Sequence, residues 1–173
     1  NLDQYTGLGL QGVVNINLNN PKFTQGIGYP VVAYFTLRLT LNNPEIGKAR
    51  YAVSCRYDNY TTINGGVYED QYDGYGVGIS SDWGHNYTVN NAVIKGNIGF
   101  AGENLTINGC DITTSYPTLI ARSLASPSIK GNVEINNTTV KYTGNADFSI
   151  YKAEYLTKEL GYQMKEYYNP NLL

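Results

Sequence analysis

One six-residue pattern recurs along the chain: an apolar residue, Asn, then Asn or Gly, one or two free positions, and a closing apolar residue. Its copies open at Leu18, Leu41, Ile63, Val89, Ile107 and Ile135, with spacings of 23, 22, 26, 18 and 28 residues. The closing apolar residues read as Phe23, Ile46, Val67, Ile94, Ile112 and Val140. Side chains just before each Asn alternate. Ile16/Leu18, Leu39/Leu41, Thr61/Ile63, Tyr87/Val89, Leu105/Ile107 and Val133/Ile135 flank Asn17, Thr40, Thr62, Thr88, Thr106 and Glu134. A period of two marks a strand with one buried face. The residue after the repeated Asn is always Asn or Gly, the types that tolerate positive φ, so each strand is expected to end in a sharp left-handed bend.

An isolated Asn-Gly usually marks a two-residue hairpin. Copies at a coil-like period, with no partner strand of matching register, argue for a solenoid instead. If the coils stack, the repeated Asn side chains stack with them. Each amide then donates to the next, satisfying polar groups turned inward at the bend. Each period holds a further strand, with candidates at Val31–Phe35, Tyr51–Arg56, Tyr75–Ser80, Ile98–Ala101 and Thr118–Arg122. The fold expected is all-β: a parallel β-helix of about six coils over residues 1–150, each rung pairing with the next at ~4.8 Å.

The Asn-[Asn/Gly] bend and the period near 22 resemble the right-handed parallel β-helix of the pectate-lyase-like group, over roughly residues 12 to 145. That scaffold carries unrelated activities, so it implies architecture and not chemistry. Residues 151–173 break the pattern. Leu156, Leu160, Met164 and Tyr167 have helical spacing, which predicts a short C-terminal helix capping the last coil or touching other subunits. No comparable cap is evident at Asn1, as expected of a piece of a longer protein.

Charged residues make up 15% of the chain and the net charge is −2, which offers no footprint for nucleic acid or an anionic membrane. No apolar run is long enough for membrane insertion as a helix. Cys55 and Cys110 fall in different coils and read as small hydrophobes rather than a disulfide or metal site. No metal and no other cofactor is expected.

Candidate chemistry concentrates in the long insert between Ile63 and Val89. It carries Glu69, Asp70, Tyr72, Asp73 and Tyr75, then Asp82, the single Trp (Trp83) and the single His (His85). Glycoside cleavage needs two carboxyl groups about 5–9.5 Å apart. The bends before the Asn strands hold Asp58, Asp82 and Glu103, which lie one rung apart if the bends align. Asp58, Asp82, Glu69 and Asp73 are therefore the catalytic candidates. Trp83, Tyr72, Tyr75, His85 and Arg56 are the candidates for holding sugar, with Arg50 and Arg122 as further carboxylate contacts. Acidic loop residues are more often simply solvated surface.

The charge-poor texture, rich in Tyr, Asn, Gly and Thr, resembles bacteriophage tailspike and tail-fibre domains. That resemblance implies a homotrimer in the virion tail, assembled in the host cytoplasm, which binds and in many cases cuts bacterial surface polysaccharide. Alternatives are a non-catalytic shaft or receptor-binding segment of such a fibre, and a secreted bacterial polysaccharide lyase.

Overall fold

The computed structural model describes residues 6–23, 28–49, 51–57, 59–70, 77–82, 85–101, 103–124, 132–156 and 162–167. The chain runs as successive strand triplets. The first two are β1 (Thr6–Gln11), β2 (Ile16–Asn19), β3 (Lys22–Phe23) and β4 (Tyr29–Tyr34), β5 (Arg38–Asn42), β6 (Glu45–Ala49). Next come β7 (Tyr51–Arg56), β8 (Tyr60–Asn64), β9 (Val67–Asp70) and β10 (Val77–Asp82), β11 (Asn86–Asn90), β12 (Val93–Lys95). Then follow β13 (Asn97–Ala101), β14 (Asn104–Asn108), β15 (Asp111–Thr114) and β16 (Thr118–Leu124), β17 (Asn132–Asn136), β18 (Thr139–Tyr142). The last strands are β19 (Ser149–Leu156) and β20 (Tyr162–Tyr167). Among the described residues there is no helix.

Each triplet places one strand in each of three sheets. The first sheet is ordered β1-β4-β7-β10-β13-β16-β19-β20, the second β17-β14-β11-β8-β5-β2 and the third β18-β15-β12-β9-β6-β3. All pairs except β19–β20 are parallel, so every strand pairs with its counterpart in the neighbouring triplet. Stacked parallel sheets in this order are consistent with a parallel β-helix, and we call each triplet a rung.

The predicted bends are present. The residue after each repeated Asn has positive φ: Asn20 52°, Asn43 46°, Gly65 66°, Asn91 52°, Gly109 60° and Asn137 48°. The Asn ladder is continuous. Nδ2 of Asn42 donates to Oδ1 of Asn19 (2.8 Å), Asn64 to Asn42 (2.9 Å), Asn90 to Asn64 (2.9 Å), Asn108 to Asn90 (2.9 Å) and Asn136 to Asn108 (3.0 Å). One detail differs from expectation. These Asn side chains share the outward parity of Arg38 and Thr40 rather than turning inward, and in the middle rungs they are half-buried.

The interior is filled by stacked columns. The second sheet contributes Leu41, Ile63, Val89 and Ile107, and the first Val31, Val53, Ile98 and Ile120, all buried. In the third sheet the inward column runs Phe23, Ile46, Tyr68, Ile94, Ile112, Val140. The expected inward residue Val67 is therefore corrected to Tyr68, since Val67 is 45% exposed and Tyr68 fully buried. The spacing from the opening apolar residue is five in every copy, and Tyr68 keeps it while Val67 does not.

The expected C-terminal helix is also corrected. Ser149–Leu156 pairs in parallel with β16, and Tyr162–Tyr167 turns back antiparallel on it. Strand β16 offers a row of unpaired backbone groups, and a Tyr-rich segment satisfies them better as strand than as helix. Residues 149–156 thus extend the first sheet.

Two buried polar details make predictions. Thr61 is 1% exposed in the column Leu39, Thr61, Tyr87, Leu105, Val133, and its Oγ1 has no hydrogen-bond partner among the described residues. Valine keeps the β-branched shape and removes the orphaned hydroxyl. Thr61→Val is expected to raise stability by about 1 kcal/mol, read as a higher urea midpoint at unchanged m-value.

Tyr68 Oη donates to the Gly65 carbonyl at 3.2 Å. Burial, and secondarily the nearby Cys110, push the Tyr68 pKa far above the ordinary tyrosine value, and burial likewise raises the Cys110 thiol. Both groups hold their protons more tightly folded than unfolded. Their contribution is complete below the ordinary values, about 8.5 for Cys and 10 for Tyr, and is lost as pH rises above them. Urea midpoints should therefore fall progressively above pH 8.5, and Tyr68→Phe should make the fall above pH 10 shallower.

Candidate ligand-binding surface

The bends from the first sheet to the second align across rungs. Gln11, Tyr34, Arg56, Asp82 and Ala101 form one register column at the strand ends. The next residue in the first three rungs is Gly12, Phe35 and Tyr57, with φ of 63°, 53° and 57°. For bulky aromatic residues this conformation is strained, at roughly 1–3 kcal/mol each. At every second-to-third-sheet bend the same conformation is taken by Asn or Gly. Phe35 and Tyr57 are nonetheless 59% and 47% exposed. Their rings stack with centroids 5.0 Å apart and planes within 5°. Such stacking returns about 0.5–1.5 kcal/mol, which offsets part of the strain only.

Cations and further rings flank this pair. The Arg56 guanidinium lies 5.9 Å from the Tyr34 ring centre, and that of Arg38 6.0 Å from Tyr60. Tyr34 and Tyr60 are 37% and 49% exposed. Arg38 Nη1 also donates to Asn15 Oδ1 at 3.1 Å, which fixes the guanidinium beside the bend. A second stack, Tyr29 on Tyr51 (5.2 Å, 10°), stands at the other end of β4 and β7. Aromatic rings next to anchored guanidinium and amide groups suit ligands with apolar faces and polar rims.

Of the residues predicted from sequence, Arg56 stands in this surface. His85 is one bend further along the stack, where its Nδ1 lies 3.0 Å from Glu103 Oε2. Glu69 sits in the third sheet with its two carboxylate oxygens 3.9 Å from Lys48 Nζ and 3.5 Å from Lys95 Nζ. Asp82, described by its backbone, shares a column with Arg56 and Ala101, whereas Glu103 precedes Asn104 in the column of Asn86. The bends align as expected, but Asp82 and Glu103 occupy different columns of them. Asp58, Tyr72, Asp73, Tyr75 and Trp83 lie outside the described residues, as does Arg50. Among the described residues, no group of three His, Cys, Asp or Glu is placed to hold a metal. Cys55 and Cys110 are buried and form no disulfide.

Sequence reasoning missed Phe35, Tyr57, Tyr34, Tyr60 and Arg38. The signal was available: Gly12, Phe35 and Tyr57 each stand six residues before the opening apolar residue of the Asn pattern, at Leu18, Leu41 and Ile63. Comparison with known proteins yields no matching family model, no similar curated protein and no similar solved structure.

Proposed function

We propose that this chain is a right-handed parallel β-helix of about six coils, of bacteriophage tailspike type, that binds bacterial surface polysaccharide as part of a homotrimer. The observation that carries the binding part is the exposed Phe35–Tyr57 stack, held in a backbone conformation that costs stability and flanked by Arg38 and Arg56. Strain concentrated under solvent-facing rings is the pattern of a ligand clamp rather than of a core. The attribution to a viral fibre rests on the charge-poor Tyr/Asn/Gly/Thr texture, and the trimer on the same resemblance.

Binding is the better supported activity than cutting. A glycosidase needs two opposed carboxyl groups, and Glu69 is flanked by two lysines while Glu103 faces His85. A depolymerase would draw on Asp58, Asp82, Glu69 or Asp73.

The test is size-exclusion chromatography of purified bacterial surface polysaccharides with and without the protein, with light scattering for its oligomeric state. Intact chains co-eluting with a trimer are expected. Arg38→Ala/Tyr57→Ala should weaken that association at least tenfold while leaving the fold intact. Shortened chains would make it a depolymerase, and single substitutions of the four acids would then identify the catalyst. A monomer that shortens uronate chains would favour a secreted lyase. No association with any chain would overturn the reading.

A further inference from the structure

The aromatic column at the first bend stops at Gly12, on the first of the described rungs. Gly12, Phe35 and Tyr57 occupy equivalent positions on successive rungs with nearly the same φ. The Phe35 and Tyr57 ring centres are 5.0 Å apart and almost parallel, close to the ~4.8 Å repeat between paired strands, so each ring turns its faces along the stacking axis. Tyr57 covers one face of Phe35. The other face looks toward the rung of Gly12, which has no side chain. A Cβ built on Gly12 would meet no atom within 4 Å. Glycine takes this φ without strain, yet a side chain is sterically possible there, because Phe35 and Tyr57 carry full rings at the same left-handed bend. The missing side chain leaves a slot one rung high, with an aromatic wall that is 59% exposed.

The residues that flank Gly12 along the same bend offer polar and apolar groups. Asn15, three residues past Gly12, accepts from Arg38 Nη1 at 3.1 Å, which leaves the Asn15 amide NH₂ and further Arg38 N–H groups as donors. Gln11 is exposed beside Gly12, and Val14 is 55% exposed.

We propose that this slot takes one pyranose ring of a polysaccharide, stacked on the free face of Phe35, with its hydroxyl rim toward Asn15 and Arg38. A pyranose has an apolar C–H face and an equatorial ring of hydroxyls, which matches one aromatic wall and one donor-rich edge. A purely apolar ligand would leave those donors facing nothing. A multiply charged anion would find one anchored guanidinium. The inference rests on the polysaccharide-binding reading and specifies which unit of the surface does the gripping.

The test fills the slot. Gly12→Tyr places a ring at a bend where Tyr57 already shows that tyrosine fits, in space that is free. The variant is expected to fold, with a thermal midpoint a few degrees below that of the parent chain, because a tyrosine at this φ is strained by more than a third stacked ring returns. Its affinity for a purified surface polysaccharide that co-elutes with the parent protein should fall at least tenfold, and Phe35→Leu, which removes the ring but keeps apolar volume, should fall similarly. A folded Gly12→Tyr protein that keeps parental affinity overturns the slot while the wider binding surface stands. If Gly12→Tyr does not fold, Phe35→Leu decides by the same criterion. A parent protein that binds no polysaccharide overturns both the slot and the reading beneath it.

Discussion

Asn64→Ala is expected to destabilise the protein by about 2–3 kcal/mol, lowering its melting temperature by roughly 5–10 °C. Asn64 stands inside the amide ladder, giving its Nδ2 hydrogen to Asn42 and accepting from Asn90, both at 2.9 Å. Alanine removes two hydrogen bonds and leaves two half-buried orphans, the Asn42 oxygen and the Asn90 amide. An orphaned polar group costs more than its lost bond, because water reaches it only in part. The position within the ladder sets the size of the effect. Asn136 at the last rung is exposed and makes one ladder bond, so Asn136→Ala should cost less than about 1 kcal/mol. Asn64→Asp should cost at least as much as Asn64→Ala, since a carboxylate oxygen would then face the Asn42 oxygen that now accepts. Chemical denaturation of the three variants checks the ranking. Equal losses at Asn64 and Asn136 would mean that the ladder is decoration on a stack held by its core.

That ladder is also where the sequence was most legible. A repeated Asn followed by a residue fit for positive φ carries local and global information at once. The bend is dictated by backbone sterics, and the coil-like spacing dictates that the bends stack. Six copies agree, so one irregular copy does not mislead. The single register error, Val67 for Tyr68, arose at Gly65-Gly66, where two glycines in succession blur which residue resumes the inward face. The C-terminal strands were misread for a different reason. Leu156, Leu160, Met164 and Tyr167 do have helical spacing, and what overrides it is non-local: the open backbone edge of β16, which local periodicity does not register.

The candidate surface was harder to read because its residues carry no chemical signature in one dimension. Acids, the single Trp and the single His are dense in the insert between Ile63 and Val89, so residue type alone points there. Phe35 and Tyr57 look like ordinary strand aromatics until the structure places both outside the strands, at positive φ and stacked. Arg38 reads as an ordinary strand-opening charge until Asn15 and Tyr60 are seen on either side of it. Register, not residue type, assembles the surface. A fixed offset from a well-determined repeat is therefore a better guide in such a chain than residue rarity.

Gly66→Ala tests the same backbone logic where it is tightest, and a loss of about 3 kcal/mol is expected. Gly66 has φ +89°, and a Cβ there would lie 2.6 Å from the Pro44 carbonyl oxygen and 2.7 Å from Pro44 Cδ. Both atoms belong to a neighbouring rung whose Pro44 carbonyl accepts from Val67 N at 3.2 Å, so it is not free to retreat. One escape exists. In the next rung the equivalent residue is Ala92, which is absent from the positive-φ residues, so the Gly65–Gly66 peptide could turn over to match it. That rotation would swing the Gly65 carbonyl away from Tyr68 Oη, its partner at 3.2 Å, and leave a fully buried hydroxyl without an acceptor. Strain and an orphaned phenol are thus alternative costs of one substitution, and a second variant separates them. If the peptide turns over, Gly66→Ala in a Tyr68→Phe background should cost at least 1 kcal/mol less than in the parent, because no hydroxyl remains to be orphaned. If the clash with Pro44 is retained, the two substitutions should add. A Gly66→Ala protein as stable as the parent would contradict both routes and place the rigidity of this bend elsewhere.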